Sequence, residues 1–205
     1  MIAIIDYKAG NLTSVKLAFD TLGVNVEVTN DRNKILRADR VVFPGVGAAG
    51  SAMKALNELK LVDVIKEVAG KGAPFLGICL GTQIILEHSQ ENNGVKCLGL
   101  IPGDVKRFRS VNRYNKIPQM GWNSVKFLKN HPLFEGIENN SEFYFVHSYY
   151  PAPADEKYTV AVTGYANVEF PSIIGNGNII AVQFHPEKSG RVGLKLLENF
   201  SNWKG

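Results

Sequence analysis

The sequence is poor in cysteine and has no long apolar run. Its 205 residues include only two cysteines, Cys79 and Cys97, which are too few for a disulfide framework. No stretch of about 18 apolar residues is present, and residues 1–6 lack the basic start and long apolar middle of a signal peptide. We therefore expect a cytoplasmic protein without a membrane segment.

Strong charge and cofactor motifs are also absent. The net charge of +4 is too small to indicate nucleic-acid binding, and no nucleic-acid-binding signature accompanies it. The sequence shows no metal-ligand cluster and no cofactor motif, so we expect neither a metal nor a cofactor. With 45% hydrophobic residues and no repeat or linker, residues 1–205 are expected to form a single domain.

Apolar runs and helical patterns alternate through the first part of the chain. The predicted elements are a strand at 2–6, a helix capped by Asn11 and closed by Gly23, a strand at 24–29, a short helix at 31–36, a strand at 40–43 and one or two helices within 49–70. This succession predicts an α/β fold with a parallel sheet and helices on both faces. Functional residues then gather at the carboxyl ends of the strands.

Beyond Leu98 the pattern changes to short β-like runs separated by turns. These runs predict antiparallel additions to the parallel sheet. Their predicted bounds are 103–108, 124–128, 142–150, 158–164 and 173–175. A last helix is predicted after Ser189, whose side chain is expected to cap it.

A cysteine lies between an apolar run and a helical pattern in the middle of the chain. Residues 73–79 are typical of a buried strand, and residues 80–87 have helical composition. Gly77 and Gly81 leave room around Cys79, as a nucleophile elbow requires, and a helix N-terminus stabilises thiolate and oxyanion charge. Cys79 is therefore a candidate nucleophile. The other interpretation is a small buried residue.

A β-rich run near the C-terminus delivers a histidine and a glutamate. His185 and Glu187 are two residues apart, and in extended chain such side chains point the same way, roughly 6–7 Å apart. The glutamate can then reach the imidazole. Together with Cys79, these residues form a nucleophile, a base and a group that orients the base. His-Pro-Glu by itself would equally suit a solvated turn.

Two motifs resemble those of the class I glutamine amidotransferases, which hydrolyse glutamine to glutamate and ammonia. They are Gly77-Ile78-Cys79-Leu80-Gly81-Thr82-Gln83 and Gln183-Phe184-His185-Pro186-Glu187. Further stretches are similar to the glutaminase subunits of imidazole glycerol phosphate synthases, and the resemblance runs from end to end. These stretches are 4–12, 44–47, 118–123 and 143–149.

The resemblance implies a flavodoxin-like three-layer sandwich, with a mostly parallel central sheet and antiparallel additions. It also implies a catalytic triad of Cys79, His185 and Glu187. The glycine-rich turn 44–47 lacks the Lys-Ser/Thr of a phosphate loop and would help to form the oxyanion hole. The implied oxyanion donors are Val46 or Gly47 and Leu80, and the residues implied to bind glutamine are Gln83, Glu91, His147, Ser148 and Tyr149. Glu91 could equally be a solvated carboxylate, and His147 a core histidine satisfied by a neighbour.

A partner subunit is implied as well. In the family, a (β/α)8-barrel cyclase subunit receives the ammonia, and the heterodimer makes imidazole glycerol phosphate and an aminoimidazole carboxamide ribotide in histidine biosynthesis. The residues implied to face this partner are Met120, Trp122, Asn123 and Lys188. Trp122 would equally suit a core or stacking position.

Gln119 departs from the family, which usually has histidine at this position. The departure keeps open a related glutaminase that feeds ammonia to another synthetase, such as one that amidates a surface sugar. A free-standing cysteine hydrolase and a non-catalytic binding subunit are the remaining, less favoured, hypotheses. A basic run is a solvated face, a docking surface or a place where a phosphorylated ligand of a partner is sensed. It consists of Lys106, Arg107, Arg109, Arg113 and Lys116.

Overall fold

The computed structural model describes residues 1–8, 11–109 and 116–205. Its strands, in chain order, are β1 (Ile2–Ile5), β2 (Val26–Thr29), β3 (Arg40–Gly45), β4 (Phe75–Cys79), β5 (His88–Ser89), β6 (Val95–Lys96), β7 (Gly103–Arg107), β8 (Gln119–Ser124), β9 (Lys126–Phe127), β10 (Glu142–His147), β11 (Tyr149–Pro153), β12 (Thr159–Tyr165), β13 (Val168–Asn176) and β14 (Ile179–Val182). Its helices are α1 (Leu12–Thr21), α2 (Arg32–Leu36), α3 (Ala49–Glu58), α4 (Val62–Gly70), α5 (Leu80–Ile84) and α6 (Gly190–Asn202). None of the helices in these ranges has the length and apolar composition needed to cross a membrane.

The central sheet contains eight of the described strands. Their order is β2-β1-β3-β4-β14-β13-β12-β9. Neighbouring strands run parallel from β2 to β14 and antiparallel from β14 to β9. The parallel half has the strand order of flavodoxin-like folds, with β14 as the fifth strand. The predicted sheet, mostly parallel with antiparallel additions, is therefore confirmed.

Helices cover both faces of this sheet. Ile2 and Ile4 of β1 belong to a buried cluster with apolar side chains of α1 and α6. Ala3 and Ile5 of the same strand belong to a second cluster, with side chains of α2, α3 and α4. The division follows from the alternation of side chains along a strand. It produces the three-layer sandwich that the family resemblance implied.

Two smaller sheets contain the other described strands. One pairs β10 with β8, and the other has the order β11-β7-β5-β6. The run predicted at 142–150 is divided, because His147 pairs with Gln119 of β8 whereas Tyr149 pairs with Arg107 of β7. The chain therefore passes from one sheet to the other at Ser148. Within the basic run, Arg113 lies outside the described residues.

Both predicted helix caps are wrong, although the two helices begin as expected. Asn11 precedes α1 with a φ of 73° and makes no side-chain cap bond. Ser189 precedes α6 and makes no cap bond either. Both side chains are engaged at Glu187 and His185 instead, as described below. The helix predicted at 80–87 is also shorter than expected, since α5 ends at Ile84.

Candidate active site

Cys79 stands at the end of β4, where the chain turns sharply into α5. Its backbone has φ 54° and ψ −107°, a combination that is strained for a residue with a Cβ atom. The strand lies in the middle of the sheet, and Cys79 is next to Gly45 of β3. The cysteine therefore occupies the predicted nucleophile elbow, at the carboxyl edge of the parallel strands.

The glycines on either side of Cys79 are required by close backbone packing. A Cβ atom at Gly81 would overlap the carbonyl oxygen of Phe43 in β3. A Cβ atom at Gly77 would lie 2.9 Å from the Cβ of Ala181 in β14, closer than real Cβ contacts allow. The elbow can therefore sit between the two neighbouring strands only because these positions lack a side chain.

The ring of His185 is held by a short contact with a carboxylate. His185 Nδ1 lies 2.7 Å from Glu187 Oε1, and the two side chains are 2% and 0% exposed. Asn11 Nδ2 donates to the same carboxylate oxygen at 2.6 Å. The predicted contact between His185 and Glu187 is present. The predicted extended geometry is wrong, because β14 ends at Val182 and Pro186–Lys188 form a 3₁₀ turn.

The backbone of His185 is fixed to a strand of the smaller sheet. Its N–H donates to the carbonyl of Tyr144 in β10 at 2.9 Å. The Ser189 hydroxyl donates to the His185 carbonyl at 2.6 Å and accepts from the Tyr144 N–H at 3.0 Å. Ser189 therefore joins the turn that carries His185 and Glu187 to β10, which explains why its side chain does not cap α6.

Opposing effects set the charge state of His185. Burial lowers the pKa of the imidazole, but the influence of Cys79 and Glu187 outweighs burial and raises this pKa to about 10. The ring therefore carries a proton near neutral pH. Nε2 of His185, however, has no hydrogen-bond partner of normal geometry among the described residues. Contacts between a nucleophile and its base often shorten only when substrate binds.

A cavity of about 280 Å³ opens in front of Cys79 and His185. This volume is near the lower end of the range for ligand pockets and suits a ligand of amino-acid size. The cavity brings together most of the predicted site residues. The lining consists of Val46, Gly47, Cys79, Leu80, Gln83, Glu91, Pro118, Val146, His147, Ser148, Tyr149 and His185. Pro118 and Val146 were not predicted, and Glu187 lies behind His185 rather than on the cavity wall.

Gln83 and Glu91 reach the cavity while they also bind other parts of the chain. Gln83 Nε2 donates to the Tyr149 carbonyl at 2.9 Å and to Gln183 Oε1 at 3.0 Å. Glu91 Oε2 accepts a 2.7 Å bond from the N–H of Ala49, the first residue of α3. The Glu91 carboxylate therefore stabilises a helix N-terminus and is not simply a solvated loop carboxylate.

His147 is a neutral, buried histidine at the cavity wall. Burial is the main reason why its pKa is lowered to about 4. Nδ1 lies 2.7 Å from the Tyr149 carbonyl, so the ring proton of the neutral form is on Nδ1. Nε2 is left as an acceptor, buried and without a partner among the described residues. The ring is therefore satisfied by a neighbour on one side and available to the cavity on the other.

The four residues predicted to face a partner lie at different depths. Met120 and Trp122 of β8 are 66% and 53% exposed, and Lys188 is also exposed. Asn123 is half-buried, and its Nδ2 donates to the Gly164 carbonyl at 3.0 Å. The structure therefore leaves Met120, Trp122 and Lys188 free for an external contact, while the Asn123 side chain is used within the chain. Trp122 is not a core residue.

Sequence reasoning missed the functional environment of two side chains. The sequence predicts a helix cap at Asn11, although this residue stands in a stretch that resembles the family. It indicates Gln183 only as part of a motif, but in the structure Gln183 is fully buried next to Cys79. The register of β14 beside β4 places Gln183 at this point, and that register is not visible in the sequence. Among the described residues, no cluster of three or more His, Cys, Asp or Glu side chains could hold a metal ion.

Comparison with known proteins agrees with this geometry. The family model described as glutamine amidotransferase class-I matches residues 3–202. The chain therefore belongs to the class I glutamine amidotransferases. Two similar solved structures are PurLQS from Thermotoga maritima and a glutamine amidotransferase from the same organism. PurLQS has a TM-score of 0.75 and 17% identity, over 98% of this chain and 97% of that chain. The glutamine amidotransferase has a TM-score of 0.65 and 18% identity, over 98% of this chain and 82% of that chain.

Within that class, the chain belongs with proteins named imidazole glycerol phosphate synthase subunit HisH. A relative with this name from Methanocaldococcus jannaschii is 52% identical, over 98% of both chains. Another, from Nitrosococcus oceani, is 48% identical, over 100% of this chain and 98% of that protein. A third, from Moorella thermoacetica, is 50% identical, over 97% of this chain and 93% of the relative.

Proposed function

We propose that this chain is the glutaminase subunit of an imidazole glycerol phosphate synthase, and that residues 1–205 act as one glutamine amidotransferase domain. The observation that carries the chemistry is that Cys79 and His185 line one cavity, with Glu187 buried against the His185 ring. The relatives named HisH, which match nearly the whole chain at about half identity, support the particular role.

The first half of the reaction uses Cys79 as the nucleophile. Its thiolate attacks the side-chain carboxamide carbon of glutamine, and the negative charge that develops on the oxygen is stabilised by backbone N–H groups. Protonated His185 then gives its proton to the nitrogen as the C–N bond breaks, which releases ammonia and leaves a glutamyl thioester. Glu187 keeps the imidazole oriented and stabilises its positive charge.

The second half of the reaction removes the glutamyl group. Neutral His185 accepts a proton from water, and the hydroxide attacks the thioester carbon. Collapse of the resulting intermediate returns glutamate and the Cys79 thiolate beside protonated His185. The pKa of His185, raised to about 10, suits a group that must hold a proton between turnovers.

The oxyanion donors are assigned to two segments at the cavity wall. Leu80, the first residue of α5, follows Cys79 directly and offers its N–H from a helix N-terminus. Val46 and Gly47 follow β3, and Gly47 has a φ of 97°, which is accessible to glycine. Glutamine itself would contact Gln83, Glu91, His147, Ser148 and Tyr149, which lie around the same cavity.

The released ammonia requires a second protein. Ammonia in water at neutral pH becomes ammonium, which is not a nucleophile, so productive transfer needs an enclosed path to an acceptor. We assign the acceptor to the (β/α)8-barrel cyclase subunit, in a heterodimer that forms imidazole glycerol phosphate and an aminoimidazole carboxamide ribotide. The exposed apolar side chains of Met120 and Trp122, with Lys188 next to Glu187, provide the contact face.

The unusual residue at position 119 does not lie on this face. Gln119 is 2% exposed, although its neighbour Met120 is 66% exposed, because successive residues of β8 point to opposite sides. The replacement of histidine by glutamine therefore leaves the exposed part of β8 unchanged. For this reason we do not favour a different acceptor enzyme on the basis of Gln119.

The proposed function predicts that the partner controls glutamine hydrolysis. Glutamate release should be measured for this chain alone, and for this chain with the cyclase subunit and its ribotide ligand, with the Cys79→Ala chain as the blank. We expect a rise of orders of magnitude only in the complete complex. Hydrolysis without any rise would indicate another acceptor enzyme. Absence of glutamate release under every condition would refute the glutaminase assignment.

Removal of the Asn11 side chain is expected to weaken the triad. In Asn11→Ala, Glu187 loses a 2.6 Å charge-assisted hydrogen bond, so it can move and hold His185 less firmly. We expect kcat for glutamine hydrolysis in the complex to fall about tenfold, which corresponds to roughly 1.4 kcal/mol, with little change in KM. Steady-state kinetics with a thermal unfolding curve provide the check. A fall in stability with unchanged kcat would limit Asn11 to a structural role.

A further inference from the structure

A chain of polar contacts connects the Tyr149 carbonyl with the sulfur of Cys79. Gln83 Nε2 donates to the Tyr149 carbonyl at 2.9 Å and to Gln183 Oε1 at 3.0 Å. Gln183 Nε2 in turn lies 3.9 Å from Cys79 Sγ, within range of an N–H···S contact. Gln183 is 0% exposed and Gln83 is 5% exposed, so water does not compete freely for these groups. Two amide side chains therefore link a substrate-facing loop to the nucleophile.

The direction of this chain is fixed at its start. A backbone carbonyl oxygen can only accept, so the amide end of Gln83 that meets Tyr149 must be the NH₂ group. The same NH₂ group faces Gln183, whose nearer end must then be its oxygen. The NH₂ group of Gln183 consequently points toward the Cys79 sulfur. Rotating either amide by 180° would lose a donor and bring two acceptors together, in a buried place where this is costly.

We propose that Gln183 is a positioning residue that maintains this directed chain of contacts. Its oxygen holds the Gln83 amide in the orientation that leaves Gln83 Oε1 available to an N–H donor of the substrate. Its NH₂ group offers a donor to Cys79, which favours the thiolate over the thiol. The substrate part of this inference rests on the proposed glutaminase function, whereas the effect on the sulfur does not.

The main test compares Gln183→Met with the natural chain. Methionine has nearly the same length and shape but neither donates nor accepts as an amide does. The pH profile for alkylation of Cys79 by iodoacetamide should move to higher pH by about one unit, since a donor to the anionic sulfur is lost and the thiolate forms less readily. Peptide mass spectrometry distinguishes alkylation of Cys79 from alkylation of Cys97. Burial, and to a smaller extent Glu91, raises the pKa of the Cys97 thiol to about 11. In the complex, KM for glutamine should also rise, because Gln83 is no longer oriented.

Thr82→Val is the matched control. Thr82 is fully buried in α5, and its hydroxyl donates to the Val182 carbonyl of β14 at 2.5 Å, so it is not part of the hydrogen-bonded chain from Tyr149 to Cys79 Sγ. The variant therefore loses a buried hydrogen bond between the same two parts of the fold. We expect it to lose stability while the pH profile for alkylation of Cys79 stays where it is in the natural chain.

Gln183→Glu keeps the shape of the Gln183 side chain but removes its NH₂ group. This variant also replaces Gln183→Met in the test if Gln183→Met does not fold. A glutamate in either protonation state keeps an acceptor for Gln83 Nε2, so KM should stay within about twofold of its natural value. The proposal is overturned if alkylation of Cys79 in Gln183→Met resembles that in Thr82→Val. If Gln183→Met does not fold, the proposal is overturned if Gln183→Glu raises KM for glutamine while its alkylation of Cys79 resembles that in Thr82→Val. Alkylation needs no glutamine turnover. A natural chain that releases no glutamate would therefore contradict the proposed function without deciding this inference.

Discussion

Replacement of Cys79 by alanine is expected to abolish glutamine-dependent product formation in the complex with the cyclase subunit. The loss should be at least about 10⁴-fold, because removal of a covalent nucleophile leaves only binding and the oxyanion donors. The fold should tolerate the change, since one buried sulfur atom is removed and alanine fits the space. The reaction supplied with ammonium salt at mildly alkaline pH should continue, because the cyclase then receives ammonia without this chain. Product formation with each nitrogen source is the measurement.

Cys97→Ala is the matched control for this experiment. Cys97 has the same 6% exposure as Cys79 but does not line the cavity, so the same chemical change should leave glutamine-dependent turnover intact. Turnover with glutamine in Cys79→Ala would show that another group is the nucleophile. Loss of the ammonia-dependent reaction as well would contradict the division of labour between the two subunits.

The position of the candidate nucleophile could be predicted because its signals are local. The turn that places Cys79 is defined by a β run, a glycine, the cysteine and a second glycine, followed by a helical pattern. In the structure, both positions must be glycine because the backbone or side chains of β3 and β14 approach them closely. The alternation of strands and helices likewise predicted the layers of the sandwich. These features depend on neighbours in the sequence, where periodicity and backbone preferences are informative.

The residues that sequence reasoning missed act through contacts between distant parts of the chain. Asn11 and Ser189 have the side chains of good helix caps and stand in cap positions, so local preference predicts capping. In the structure Asn11 reaches Glu187, which is 176 residues away, and Ser189 joins His185 to Tyr144. These bonds are favoured because a buried carboxylate and buried backbone groups need partners, while the helix ends can use other donors and acceptors. The break at Ser148 between two sheets likewise depends on which strand each residue pairs with.

Gly81→Ala is expected to disrupt the elbow itself. The new Cβ atom would overlap the Phe43 carbonyl, which belongs to the backbone of β3 and cannot turn away as a flexible side chain could. Either α5 or β3 must move, and the movement displaces Cys79 and Leu80 relative to Val46 and Gly47. We expect a loss of about 3 kcal/mol in the free energy of unfolding, or roughly 6–12 °C in Tm for a chain of this size. Glutamine hydrolysis should fall by about 100-fold or more, since misplacement of reacting groups by 1 Å has effects of that order.

Gly70→Ala is the control that separates this clash from the general effect of an added methyl group. Gly70 is the last residue of α4, and a Cβ atom there would meet no atom within 4 Å. Alanine is the better helix former, so this variant should be as stable as the natural chain or more stable by up to about 1 kcal/mol, with unchanged hydrolysis. Thermal unfolding and glutamate release in the complex measure both variants. If Gly81→Ala were as stable and active as Gly70→Ala, the close approach of α5 to β3 could not be what holds the nucleophile in place. A stable but inactive Gly81→Ala chain would instead show that the strands absorb the clash, and that hydrolysis depends on the distance between Cys79 and the oxyanion donors.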